Sequence, residues 1–178
     1  MTWQIPSENG KPITGYNVVF RKQDDSFEVE SASCDRTASV ETTCTVPLAT
    51  LYSSPFFLAV GDQINLKVSA INAYGTSPLS EIGGGALIQV VPDAPKSLAN
   101  IPEITLDDRI GIQWLDGAST GGTSIIDYEI WSDQGVDDFV LLSANLVERE
   151  FTAENLYSSY TYQFKVRARN AVGLSEFS

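Results

Sequence analysis

The sequence predicts an all-β chain, two β-sandwiches in tandem, and three observations carry that prediction. First, the chain repeats itself: Gly15–Ala32 lies without gaps on Asp127–Ala144 at an offset of 112, and Leu58–Ser80 lies on Leu156–Ser178 at an offset of 98. Second, the apolar period inside each copy is two. Tyr162, Phe164, Val166 and Ala168 alternate with Gln163, Lys165, Arg167 and Arg169, as a strand does with one face in a core and one in water. Third, turn-forming residues separate the alternating runs, and no segment sustains the three-four spacing of an amphipathic helix. A parallel α/β fold is excluded.

The elements follow in order. Asn9-Gly10 turns the chain into the run Tyr16–Val18–Phe20, and Asp24-Asp25 separates that run from Phe27–Val29. Ile64, Leu66, Val68 and Ala70 form the next run, and Glu81–Val91, bent at Gly83-Gly84-Gly85, reads as the closing strand of the first copy. The second copy offers Ile110–Ile112–Trp114, then Tyr128–Ile130 after Gly121-Gly122, then Phe139–Leu141 after Gly135 and Asp137-Asp138. Glu148, Glu150 and Glu154 read as the wet face of a further strand before Tyr162–Ala168. The offset falls from 112 to 98, so the first copy carries 14 extra residues between the two blocks. The expected domains are residues 1–91 and 92–178.

Six features in the same order, twice over, resemble the fibronectin type III family. Thr2–Lys22 is similar to the family's strand B to strand C passage: a Trp closing strand B, a Pro/Gly-rich loop and a Tyr in strand C. Tyr160–Ser178 is similar to its strand F and FG loop, and Val91-Pro92-Asp93-Ala94-Pro95 to its entry into strand A. The resemblance implies immunoglobulin-like, seven-stranded sandwiches with Trp3 and Trp114 as central inter-sheet aromatics, supported by Tyr16, Tyr128, Leu58 and Leu156. Each indole then hides about 150–250 Å², worth at most about 4–6 kcal/mol. Tyr162, six residues after Leu156, falls where the family has a tyrosine corner whose hydroxyl bonds backbone. Ile64 stands there in the first copy, so its EF connection is expected to be held differently.

Pro92 to Trp114 accommodates strands A and B, whereas only Met1 and Thr2 precede Trp3, and the second copy stops at Ser178. The first sandwich is therefore expected to lack its N-terminal strands and the second its last strand. The expectation is a window on a longer multi-domain chain; strand donation by a neighbouring molecule is the alternative.

Cys34 and Cys44 lie inside the extra length, in a segment expected to form a hairpin. In a β-rich chain without histidine they are expected to form a disulfide; two buried free thiols are the alternative. The acidic pairs Asp24-Asp25, Asp107-Asp108 and Asp137-Asp138 are read as solvated turns rather than calcium sites, because adjacent carboxylates on a strand diverge. Val46–Asp62 is the least regular segment. Its rings Tyr52, Phe56 and Phe57 either plug the sandwich base where the tyrosine corner is missing or form an apolar contact patch.

Eleven basic and 23 acidic residues give a net charge of −12. Such a surface repels phosphate backbones and anionic lipid, so nucleic acid is not expected as a partner. No apolar run is long enough for membrane insertion. With no histidine, no nucleophile–base set and no convergent carboxylates, no catalytic residue, metal site or cofactor is expected, and the chain is not expected to be an enzyme. No Arg-Gly-Asp tripeptide or Asn-x-Ser/Thr sequon occurs.

The family resemblance implies a structural or adhesion spacer in a long extracellular or cell-surface protein. The Leu58-x-x-Gly61-Asp62-x-Ile64 wording is also similar to repeats in large surface proteins of ciliated single-celled eukaryotes, which would make it a coat or filament component. Its partners would be proteins: neighbouring domains or subunits, including head-to-tail assembly. The alternatives are a receptor ectodomain using the BC and FG loops (Ser7–Pro12, Ala73–Pro78), an intracellular module, and an accessory module of a larger enzyme.

Overall fold

A computed structural model describes every residue except Asp137, so the expected Asp137-Asp138 turn lies partly outside the described residues. The chain divides into two units, Met1–Ile88 and Gln89–Ser178. The division falls three residues ahead of the expected one, for a hydrogen-bonding reason. Val90 N–H donates to Gly121 O (2.9 Å), and Asp93 N–H to Ser119 O (2.9 Å), which ties the join into the second unit. Gly121 has φ +78°, and a Cβ there would stand 2.2 Å from Val90 O, so only glycine lets the join lie down.

In unit 1, β1 (Ile13–Arg21), β2 (Phe27–Val29), β3 (Gln63–Asn72), β4 (Gly75–Thr76) and β5 (Gly83–Leu87) form one antiparallel sheet, order β2-β1-β3-β4 with β5 also on β3. Tyr16, Val18 and Phe20 on β1 and Leu66 on β3 face a core closed by Cys34, Cys44, Leu51, Phe56, Leu58 and Ile88. The facing layer is slight. Among the described residues it has Thr2 bridged to Thr43, with Trp3 N–H donating to Thr42 O (3.1 Å).

The extra length contains a short helix, α1 (Leu48–Tyr52), which the sequence reading did not expect. Five residues are too few to display a helical period, and α1 is fixed by Leu51, which is fully buried in the core.

Unit 2 has two three-stranded antiparallel sheets. One is β10 (Glu150–Glu154), β7 (Arg109–Leu115) and β6 (Lys96–Asn100) in that order; the other is β11 (Phe164–Asn170), β8 (Ile125–Ser132) and β9 (Val140–Leu146). Ile112 and Trp114 of one sheet pack with Tyr128, Ile130, Val166 and Ala168 of the other.

The two tryptophans are not equally placed. Trp114 is 2% exposed, whereas Trp3 is only half-buried and packs on Tyr16 edge to face at 5.4 Å. Beside Trp3, Leu66, Val68 and Ala70 line an open cleft of about 700 Å³. Each indole Nε1 is buried without a hydrogen-bond partner, in the closed unit as in the open one, so the orphan belongs to the position and not to the cleft.

Candidate interaction surface

Cys34 and Cys44 form a disulfide, Cα–Cα 5.4 Å, and both are buried. The intervening chain is not a hairpin. Arg36 bridges to Tyr16 on β1 while Thr43 bridges to Thr2, so the segment crosses between the layers and the disulfide ties them together. Gly15 permits the crossing, since a Cβ there would meet Thr37 O at 2.2 Å.

Tyr162 is half-buried, and its hydroxyl accepts from Tyr157 N–H at 2.9 Å, close to half-buried Leu156. Leu58 is buried in unit 1, where Ile64 replaces the tyrosine. There the connection is held by α1, by Leu58 N–H donating to Leu51 O (2.9 Å), and by Phe56.

The three rings expected as either a plug or a contact patch separate. Phe56 is buried against Phe20, centroids 6.2 Å apart, and belongs to the core of unit 1 and not to an exposed patch. Tyr52 and Phe57 are exposed, as are Leu48 and Val60. Phe57 also has φ +53°. Its N–H and that of Phe56 both donate to Ser53 O (3.0 and 2.9 Å), closing a left-handed turn of the kind glycine usually makes. A bulky residue there costs about 1–2 kcal/mol.

Each loop tip is braced by an asparagine amide, and only the Glu8 and Thr120 acceptors are equivalent in the repeat. Asn72 Nδ2 donates to Glu8 O (3.0 Å) and Lys11 O (3.3 Å), and Asn170 Nδ2 to Val90 O (2.8 Å) and Thr120 O (2.9 Å). Tyr74 stands 74% exposed beside this brace in unit 1.

Three devices escaped the sequence reading, although the residues of the first two recur at the repeat offsets. Ser77 and Ser80 each accept from and donate to one residue of β3: Ala70 N–H reaches Ser77 Oγ (3.0 Å) and Val68 N–H reaches Ser80 Oγ (3.1 Å), while the serine N–H groups return to Ala70 O and Val68 O (both 2.9 Å). Ser175 and Ser178 do the same on Ala168 and Val166 of β11. On the outer face Lys67 Nζ lies 4.8 Å from the Phe27 ring and Lys165 Nζ 3.5 Å from Phe139. Unit 2 extends the latter, with Arg167 between Trp131 (5.3 Å) and Phe177 (5.0 Å) and paired with Glu129 (2.7 Å). Finally, Arg149 grips Asp116 through Nε (2.9 Å) and a terminal nitrogen (2.7 Å), and Tyr128 donates its hydroxyl to the same carboxylate. The Arg149 hydrogen bonds hold Asp116 below its ordinary range, with a smaller contribution from Tyr128; burial, followed by the Asp116 contact, pushes the Tyr128 phenol up to about 12.

Two of the acidic pairs are engaged locally. Asp24 caps its own turn by accepting from Ser26 N–H (3.1 Å), and Asp108 pairs with Arg109 (2.9 Å). Among the described residues no cluster of three or more acidic or cysteine side chains could hold a metal. No described helix is long and apolar enough to cross a membrane.

Paired sheets around a central tryptophan, with an interlayer brace at each loop tip, define the immunoglobulin-like class of sandwich domains. No family model matches the chain. It is 30% identical to Integrin beta-4 of Homo sapiens over 179 residues, covering 96% of this chain, and 35% identical to Protein turtle of Drosophila melanogaster over 81 residues, covering 44%. It spans 9% and 5% of those relatives. Among solved structures, titin domains A168–A170 superpose with a TM-score of 0.58 at 22% identity, over 92% of this chain and 51% of that one. The chain is a tandem of fibronectin type III domains.

Proposed function

We propose that the chain is a non-catalytic structural and adhesion spacer in an extracellular or cell-surface protein, one that acts by holding distance and presenting surfaces to other proteins. The observation that carries this reading is how the polar chemistry is used. Asp116, Tyr128, Arg149, Asn72, Asn170 and the four serines are all engaged in bracing the sandwiches. The buried interlayer disulfide supports an oxidising compartment, and the similarity to Integrin beta-4 supports a role in a larger surface assembly.

The test is a thiol count on denatured protein isolated from its native source without reductant. The expected result is no reactive thiol; two reactive thiols overturn the extracellular placement. A receptor reading is favoured by one feature, the exposed Tyr74 on the braced loop tip. Replacing Ala73–Pro78 and Ser7–Pro12 with inert loops leaves partner binding intact if the module is a spacer and abolishes it if the loops are the binding site.

A further inference from the structure

Unit 2 carries three tyrosines in contact with one another. The ring centroids of Tyr157 and Tyr160 are 6.1 Å apart and those of Tyr160 and Tyr162 6.5 Å, with the planes inclined by 58° and 53°. Backbone and hydroxyl together fix the group: Tyr160 N–H donates to Tyr157 O (3.1 Å), and the Tyr162 hydroxyl accepts from Tyr157 N–H (2.9 Å). Tyr160 also seats on Gly135, where a Cβ would stand 3.0 Å from the tyrosine Cβ.

The sandwich does not need all of these rings. At the repeat offset of 98, unit 1 has Ala59, Asp62 and Ile64 in their places and is built without them. Tyr162 serves the fold through its hydroxyl. Tyr157 and Tyr160 are 72% and 53% exposed, so their rings bury little. Aromatic side chains held in place yet left in solvent are typical anchors of a binding site.

Tyr157 and Tyr162 line a cavity of about 240 Å³ together with Leu142, Leu156, Asn155 and Glu154. No lysine or arginine is among its lining residues. Arg109 lies across the strand pair from Glu154 but is bonded to Asp108 (2.9 Å), which leaves the Glu154 carboxylate outside the ion pairs of the described residues.

We infer that this cavity binds an alkylammonium group, the head of a partner protein's lysine or methylated lysine. Inclined aromatic rings offer a cation more than one negative ring face, and the carboxylate adds a full charge. An anion meets Glu154 and a molecule of net charge −12. A neutral apolar ligand strips water from that carboxylate and gives it no partner in return. The cavity has room for a head group and its aliphatic stem, and Leu142 and Leu156 offer the stem an apolar wall.

The experiment is a proton–nitrogen NMR titration of the purified chain at about 0.15 M ionic strength. The probes are Nα-acetyl-trimethyllysine methylamide and choline, with 3,3-dimethylbutanol as the neutral isostere of choline and sodium chloride as the control. The expected result is saturable shifts confined to the residues around the cavity, with a Kd on the order of 1–10 mM for the lysine probe and weaker binding of choline, which lacks the stem. The isostere binds at least about tenfold more weakly than choline. Tyr157→Leu keeps apolar area but removes a ring face, and Glu154→Gln removes the charge. Both positions are exposed, so each variant unfolds at an unchanged denaturant concentration while binding weakens about three- to tenfold. No saturable shift below about 100 mM overturns the inference, as do shifts that sodium reproduces, an isostere that binds as well as choline, or indifference to both substitutions. Choline binding more tightly than the lysine probe overturns the assignment to a protein partner. None of these outcomes bears on the thiol count or the loop replacements, so this inference and the spacer reading stand or fall separately.

Discussion

Tyr162 is a single hydroxyl spanning a chain reversal. Tyr162→Phe leaves Tyr157 N–H without its acceptor, and a loss of about 1 kcal/mol is expected by denaturant unfolding. Tyr128 and Asp116 give stability a pH dependence with opposite signs at the two extremes. The Asp116 carboxyl is lowered from 3.8, so its contribution is complete above that value and is lost as pH falls through the lowered one. The Tyr128 phenol is raised from 10.0 to about 12; the folded state holds that proton longer than the unfolded chain, so stability falls as pH climbs from about 10 to about 12. Unfolding curves of wild type and Tyr128→Phe across that alkaline window check the sign, since the variant lacks this component of the decline.

Among the elements, the paired serines substitute side-chain acceptors for part of a strand ladder. The same bond sits in different surroundings in the two units: that of Ser175 with Ala168 is buried, while that of Ser77 with Ala70 is exposed. Ser175→Ala is therefore expected to cost about 1–2 kcal/mol and Ser77→Ala a few tenths, because water replaces the lost acceptor only in unit 1. Chemical denaturation of each variant makes the comparison. In the extra segment α1 is a plug, not a free-standing helix. Leu51→Ala is expected to cost about 2–4 kcal/mol, and removing the Cys34–Cys44 disulfide by paired alanines about 2–3 kcal/mol. Both are read from unfolding of unit 1.

For the whole molecule charge is the dominant quantity. Of the 23 acidic residues 14 lie in unit 2, against six basic ones, so self-repulsion opposes the folded state there most strongly. Raising salt from about 10 to 150 mM is expected to raise the unfolding temperature, more for unit 2 than for unit 1, as differential scanning calorimetry would detect.

Much of this was determined by the sequence alone. Period-two alternation at Tyr16–Phe20 and Tyr162–Ala168, with turns between, admits only half-buried antiparallel strands, and the repeat offsets said that the same sandwich is built twice. The cysteine count also singled out Cys34 and Cys44, and the family resemblance singled out Tyr162. Tertiary structure decided what depends on who covers whom. Phe56 and Phe57 are identical neighbours in sequence, yet the turn from Ser53 sends one ring into the core and the other into solvent. Trp3 and Trp114 read alike, yet Trp114 is buried while Trp3 is half-buried beside an open cleft. Burial is a property of packing across the fold, summed over partners remote in the chain, and no local pattern encodes it.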